Sequence, residues 1–384
     1  METFPLESLS IEEATQMQFR FVDAITRNFS GEEILTRGDL GVVKGLNQPR
    51  TTQKVEKVLA DFFNAEAAML VRGSGTNAIR LALYSLLGTN KTLMVHDAPI
   101  YPTSKVSIEM LGLKTIFADY NHLEEVKEKL LNNKVDGILI QVTRQKFDDS
   151  YDLKSLIAFI RSFDKTIQII TDDNYSALKT KGLGSEFGAN LSCFSTFKLL
   201  GPEGIGCIVG EKKAIQRLKN DNYSGGGQVQ GHEAIDVLKG LIYAPVSLAI
   251  SAKVSEEVCG RINQQEIGGI EKAFLINAQS KVIVVKLKKP IAKKVIEQAT
   301  SFGALPNPVG AESKYEFSPL VYRVSGTFRA ADPDAEQFMI RINPNRSGAD
   351  TILRILKQAM DVVEKRCESM GEEFLKKKES LLTT

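Results

Sequence analysis

The chain has no tryptophan, only three histidines and four cysteines, and almost no net charge, +2 over 384 residues. Each shortage removes a class of function. Lys and Arg total 49 against 47 Asp and Glu, so there is no basic surplus to draw the chain to nucleic acid or an anionic membrane. Three histidines without paired spacing leave little for a metal centre, and none is expected. Cys193, Cys207, Cys259 and Cys367 show neither the CxxC spacing of a zinc or redox site nor the density of a disulfide scaffold. No uninterrupted apolar run reaches the roughly 18 to 20 residues of a membrane-spanning helix. The opening METFPLESLSIEEATQ carries acids where a secretory leader is basic and then apolar. The expectation is a cytoplasmic chain that acts on a small molecule.

What is present points to an α/β protein. Apolar residues at 43% and charged residues at 25% are ordinary for a folded chain, and the length exceeds what one core usually serves. From about residue 67 to 210, short β-rich runs alternate with helical-period segments: AAMLV at Ala67, TLMVH at Thr92, KTIFA at Lys114, GILIQ at Gly137, IQIIT at Ile167, LSCFS at Leu191 and GCIVG at Gly206. This pattern predicts a mainly parallel sheet between helices, with ligands gathered at the carboxyl ends of its strands. Two helices around a glycine-rich break, SGGGQVQG from Ser224, follow. Beyond about 262, strands VIVVKL, LVYRV and FMIRINP, a helix near Ala292 and a long final helix predict a smaller α+β domain. The boundaries read as an amino-terminal arm or small-domain segment over 1–45, a large domain over 46–260 and a small one over 261–384.

Chemistry concentrates at the strand ends. In CFSTFKLLGPEGIG a strand runs into Ser195, Thr196, Phe197 and Lys198. A desolvated lysine there loses proton affinity and becomes the nucleophile that an aldehyde cofactor requires, whereas a lone strand-end lysine is more often a surface residue. IQIITDDNYSALKTKGLG ends a strand in Asp172 and Asp173, followed by Asn174 and Tyr175. A carboxylate so placed can pair with a protonated pyridine nitrogen, or simply cap the next helix. MLVRGSGTNAIRLAL sets Gly73, Ser74, Gly75, Thr76 and Asn77 at a helix start, where backbone N–H groups and the helix dipole favour a phosphate. The segment lacks the GxGxxG of a dinucleotide fold and the Gly-Lys-Ser/Thr of a nucleotide P-loop. Tyr101 can stack on a planar ring, Gln141 can reach it, and Ser195 offers a hydroxyl to the same phosphate.

In this order the motifs resemble the fold-type I pyridoxal-5′-phosphate (PLP) enzymes, the aspartate-aminotransferase superfamily, over nearly the whole chain. NQPRTTQKVEKVLADFFNAEAAMLVRGSGTNA resembles the Cys/Met-metabolism branch, and DDNYSALKTKGLG with FKLLGPEGIG resembles class-V aminotransferases. The resemblance implies a large PLP-binding domain, a smaller α+β domain and a homodimer with a shared active site. It assigns Lys198 to the Schiff base, Ser74, Gly75, Thr76 and Ser195 to the phosphate, and Tyr101 to stacking. Asp172 falls to the pyridine nitrogen with Asp173 in competition, Tyr175 to the phenolic oxygen, and Gln141 to the ring. Arg341, in EQFMIRINPN, resembles the arginine that grips a substrate α-carboxylate. Val43 and Lys44 stand where the Cys/Met branch has the Tyr and Arg that reach a neighbour's phosphate, which leaves Arg50 or Gln228 to Gln230 as substitutes. The implied activity is aminotransfer on an amino acid or amine, with β- or γ-elimination as the alternative. A PLP-fold binding protein without catalysis and a nucleotide-binding α/β protein are the rivals from other classes.

Overall fold

The computed structural model describes residues 2–143, 145–276 and 281–382. They form two compact units, residues 2–249 with 312–315, and residues 250–276, 281–311 and 316–382. In the larger unit α1 (Ile11–Asn28), α2 (Gly31–Ile34) and α3 (Arg50–Phe62) precede β1 (Ala67–Arg72) and α4 (Ser74–Leu87). Then come β2 (Thr92–His96), α5 (Pro102–Met110), β3 (Lys114–Ala118), α6 (Leu123–Asn132), β4 (Gly137–Gln141), α7 (Leu153–Phe163) and β5 (Gln168–Asp172). β6 (Leu191–Ser195), β7 (Ile205–Gly210), α8 (Lys212–Asp221) and α9 (Gly231–Asn263) complete the series.

These strands form one seven-stranded sheet in the order β1-β7-β6-β5-β4-β2-β3. Only β7 runs against its neighbours β1 and β6; every other pairing is parallel. Parallel strands covered on both faces read as continuous apolar runs, and β6 and β7 are buried at every position. One face is closed by α4, whose Ala78, Ile79, Ala82 and Leu83 share a core with Met69, Ile170 and Ile208. Residues 2–45 belong to this unit, a difference from the separate arm expected: α1 packs on α3, with the Phe21 and Phe62 rings edge-on at 4.5 Å. The second boundary also differs, since the units divide inside α9 at residues 249/250.

The smaller unit holds β8 (Ile270–Ile276), β9 (Val282–Leu287), α10 (Ala292–Ser301), β10 (Leu320–Arg323), α11 (Gly326–Ala331), α12 (Ala335–Phe338), β11 (Met339–Asn343) and α13 (Ala349–Leu382). Its sheet is antiparallel, in the order β10-β11-β9-β8. α10 and α13 bury Val295, Ile352, Leu356 and Ala359 with Ile283, Val285 and Ile340. By length and composition α9 is apolar enough to cross a membrane, yet more than half of its apolar window is buried inside the protein.

Candidate active site

The site is built at the carboxyl end of the parallel strands of the larger unit. β1 ends at Arg72, and the chain enters α4 through Gly73 at φ 91° and Ser74 at φ 61°, both left-handed. Gly73 and Ser74 both donate backbone N–H to Gly204 O, at 2.8 and 2.9 Å, which fixes the turn. The next N–H groups belong to the first turn of a 14-residue helix, where they have no intrahelical acceptor. Ser74 Oγ meets Ser195 Oγ at 2.7 Å, and Thr76 Oγ1 meets Thr103 Oγ1 at 3.3 Å. A Cβ on Gly75 would lie 2.6 Å from Asn174 Oδ1, so this position has room for hydrogen alone. Four hydroxyls in two hydrogen-bonded pairs, beside a helix N-terminus, fit a phosphate ester.

Lys198 follows β6 in a short 3-10 turn over Thr196–Leu199. It is half-buried by surface area, but the protein packed around its amine pushes its proton affinity below the ordinary lysine value. Asp172, Tyr101 and Glu312 pull in the opposite direction. Its Nζ stands 3.9 Å from the centroid of Tyr175, a residue held at φ 67°.

The two aspartates part company at the end of β5. Burial raises the affinity of Asp172 for its proton, and the Lys198 charge and Asn174 hold it down. Asp172 Oδ1 accepts from Asn174 N at 3.0 Å and Asn174 Nδ2 at 2.7 Å, while Asn174 Oδ1 accepts from Ser195 N at 2.9 Å. Asp173 is fully buried elsewhere, accepting from Thr171 Oγ1 at 2.5 Å and Gly184 N at 3.2 Å. Burial pushes its carboxyl up to about 7. Asp172 is therefore the carboxylate that shares a field with Lys198.

Tyr101 caps α5 and is 46% exposed. The loop that bears it is tied down by Gln145 Nε2, which donates to Pro99 O at 2.6 Å. Asp149 is the hub beneath, accepting from His96 Nε2 at 2.8 Å and from the N–H groups of Gln145 and Lys146 at 2.9 and 2.7 Å. Its own burial opposes ionisation, but the His96 bond and these donors hold it at about 2. Gln141 Nε2 donates to Thr143 O at 2.9 Å, which leaves its oxygen as the group to offer a ligand. Arg144 lies outside the described residues.

Val43 and Lys44, which stand where the Cys/Met branch has its Tyr and Arg, are half-buried and exposed, and Arg50, one of the substitutes, is exposed. Gln228 is buried and donates to Asn222 O, and Gln230 Oε1 accepts from Gly41 N at 2.7 Å, so both are engaged within the chain. In the smaller unit Arg341 is 5% exposed, its guanidinium 4.1 Å from the Tyr322 ring centroid and its Nε donating to Arg323 O at 2.8 Å. Among the described residues its Nη1 is buried without a hydrogen-bond partner, an expensive state for a cation unless an anion arrives. Sequence reasoning did not find Asn174 as the joint between Asp172 and Ser195, nor the Asp149 hub. Asn174 was legible from its place beside the aspartates, whereas nothing near Asp149 marks it.

Comparison with known proteins places this geometry. Residues 44–237 match the family model of class-V aminotransferases, and residues 256–356 match the YhfS-like C-terminal domain. The chain is 52% identical over 360 residues to the uncharacterized protein YhfS of Escherichia coli (strain K12), covering 94% of this chain and 99% of that one. The crystal structure of the pyridoxal-5′-phosphate dependent protein YhfS from Escherichia coli superposes with a TM-score of 0.92 at 51% identity, over 94% of this chain and 100% of that one. A cystathionine beta-lyase of Bordetella avium is 26% identical over 253 residues, 62% of this chain and 58% of its own. The cystathione gamma lyase CalE6 of Micromonospora echinospora, at 15% identity and a TM-score of 0.71 over 90% of this chain and 99% of that one, shares the fold.

Proposed function

The chain belongs to the class-V aminotransferase family within the fold-type I PLP enzymes, and from that premise we propose that it binds PLP on Lys198 and transfers the amino group of an amino acid or amine. The observation that carries the reading is the joint placement of Lys198, Asp172 and the α4 hydroxyl cradle at one end of one sheet. Bound PLP supplies an electron sink for a carbanion at the substrate Cα. Ser74, Gly75, Thr76 and Ser195 hold the phosphate, Asp172 keeps the pyridine nitrogen protonated, and Tyr101 covers the ring. Tyr175 and Gln141 address the ring's oxygen and edge. Lys198 Nζ, with its weakened hold on a proton, first holds the cofactor and then moves a proton at the substrate Cα. Arg341, whose buried Nη1 lacks an acceptor among the described residues, takes the substrate α-carboxylate.

Elimination at Cβ or Cγ is the second reading, supported by the name of the Bordetella avium relative. A homodimer in the reducing cytoplasm completes the proposal; Leu35 and Leu40, 87% and 72% exposed, are the apolar groups a partner would cover. Incubating the holoenzyme with each amino acid, with and without an α-keto acid, tests the reaction class. Transamination requires the keto acid and releases no ammonia, while elimination releases ammonia without it. Silence of every amino acid and amine, with the cofactor bound, would leave a binding protein.

A further inference from the structure

The turn after β5 carries a lysine that the proposed chemistry does not use. Lys179 is 5% exposed and forms an ion pair with Glu312, itself 2% exposed. The partners are 133 residues apart, and Glu312 groups with the larger unit although the chain on either side groups with the smaller. The backbone arrives there through two successive left-handed residues, Ala311 at φ 49° and Glu312 at φ 81°. Such conformations persist where the surroundings hold them, and they collect at functional sites. Tyr175 links the pair to the reactive amine. Lys179 Nζ is 5.6 Å from its ring centroid and Lys198 Nζ 3.9 Å from the same centroid.

The geometry points to Lys179 and Glu312 as a pair of positioning residues that set the proton affinity of the Lys198 amine. The inference rests on the reading of Lys198 as the reacting group. Among the described residues the groups that act on Lys198 are the carboxylates of Asp172 and Glu312, the phenol of Tyr101 and the ring of Tyr175. Burial favours the neutral amine, while Asp172, Tyr101 and Glu312 favour the ammonium. Lys179 is a second cation on the same ring, and the carboxylate of Glu312 neutralises it. Charge removed from either member of the pair therefore moves Lys198, and the two removals move it in opposite directions.

Trace acetylation of the cofactor-free full chain by acetic anhydride across pH, read on the Lys198 peptide by mass spectrometry, measures that affinity without turnover. Glu312→Gln should lower the midpoint by roughly half to one pH unit, and Lys179→Met should raise it by a similar amount. Should one variant fail to fold, the other still decides by the sign of its shift. Unmoved midpoints, or two shifts of the same sign, overturn the inference. A midpoint that shifts as expected in a chain that never takes up PLP contradicts the functional reading alone.

Discussion

Adjacent aspartates at the end of β5 differ in their neighbours, and the difference dictates two outcomes. Asp172 shares its surroundings with Lys198, so Asp172→Asn should slow carbanion formation by orders of magnitude while PLP still binds, read by single-turnover absorbance. Asp173→Asn should leave that rate within about tenfold. Asp173 acts on stability instead. In the folded chain it keeps its proton to about pH 7, against an ordinary value of 3.8. Between those values the unfolded chain holds fewer protons, so stability falls as pH rises through the window. Denaturant titrations at pH 4.5 and 7 should show this loss, and Asp173→Asn should flatten it. A variant with the same slope as the parent would refute the assignment. Alternation along a strand told from sequence that one aspartate at most faces the ligand. The choice between them came from the spacing to Tyr175, and the partner of each was visible only in three dimensions.

The start of α4 is where an element, rather than a residue, makes the phosphate site. Gly75→Ala would press a methyl onto Asn174, whose amide joins Asp172 to Ser195 N. Strain of this kind typically costs about 1–3 kcal/mol, and PLP affinity of the variant should fall by roughly five- to a hundredfold in a fluorescence titration. Unchanged affinity would show that α4 is not the cradle. The strands of the large sheet other than its edge strand β3 were legible because burial on both faces writes them as mainly apolar runs. β8 was not. Its burial follows no simple alternation, Glu271 and Lys272 interrupt it, and the register slips between Ile270 and Lys272. A two-residue period breaks at such an irregularity, and the eye takes the segment for a loop.

At the scale of the molecule, the fold class followed from the alternation of elements, while the domain borders did not. A border inside a continuous helix such as α9 leaves no loop signal, and the pairing of α1 with α3 is a tertiary choice. The Lys179 and Glu312 pair was hidden for the same reason, since nothing in 133 residues of separation announces a contact. Sedimentation of the holoenzyme should give a dimer, and Leu35→Glu with Leu40→Glu should shift it toward monomer; a parent monomer that turns over substrate would contradict the shared site. The central claim is that Lys198 carries the cofactor. Purified protein loaded with PLP should absorb in the visible, and borohydride followed by peptide mapping should place the reduced pyridoxyl group on Lys198; a label on Lys179, Lys181 or Lys212 instead would contradict the account.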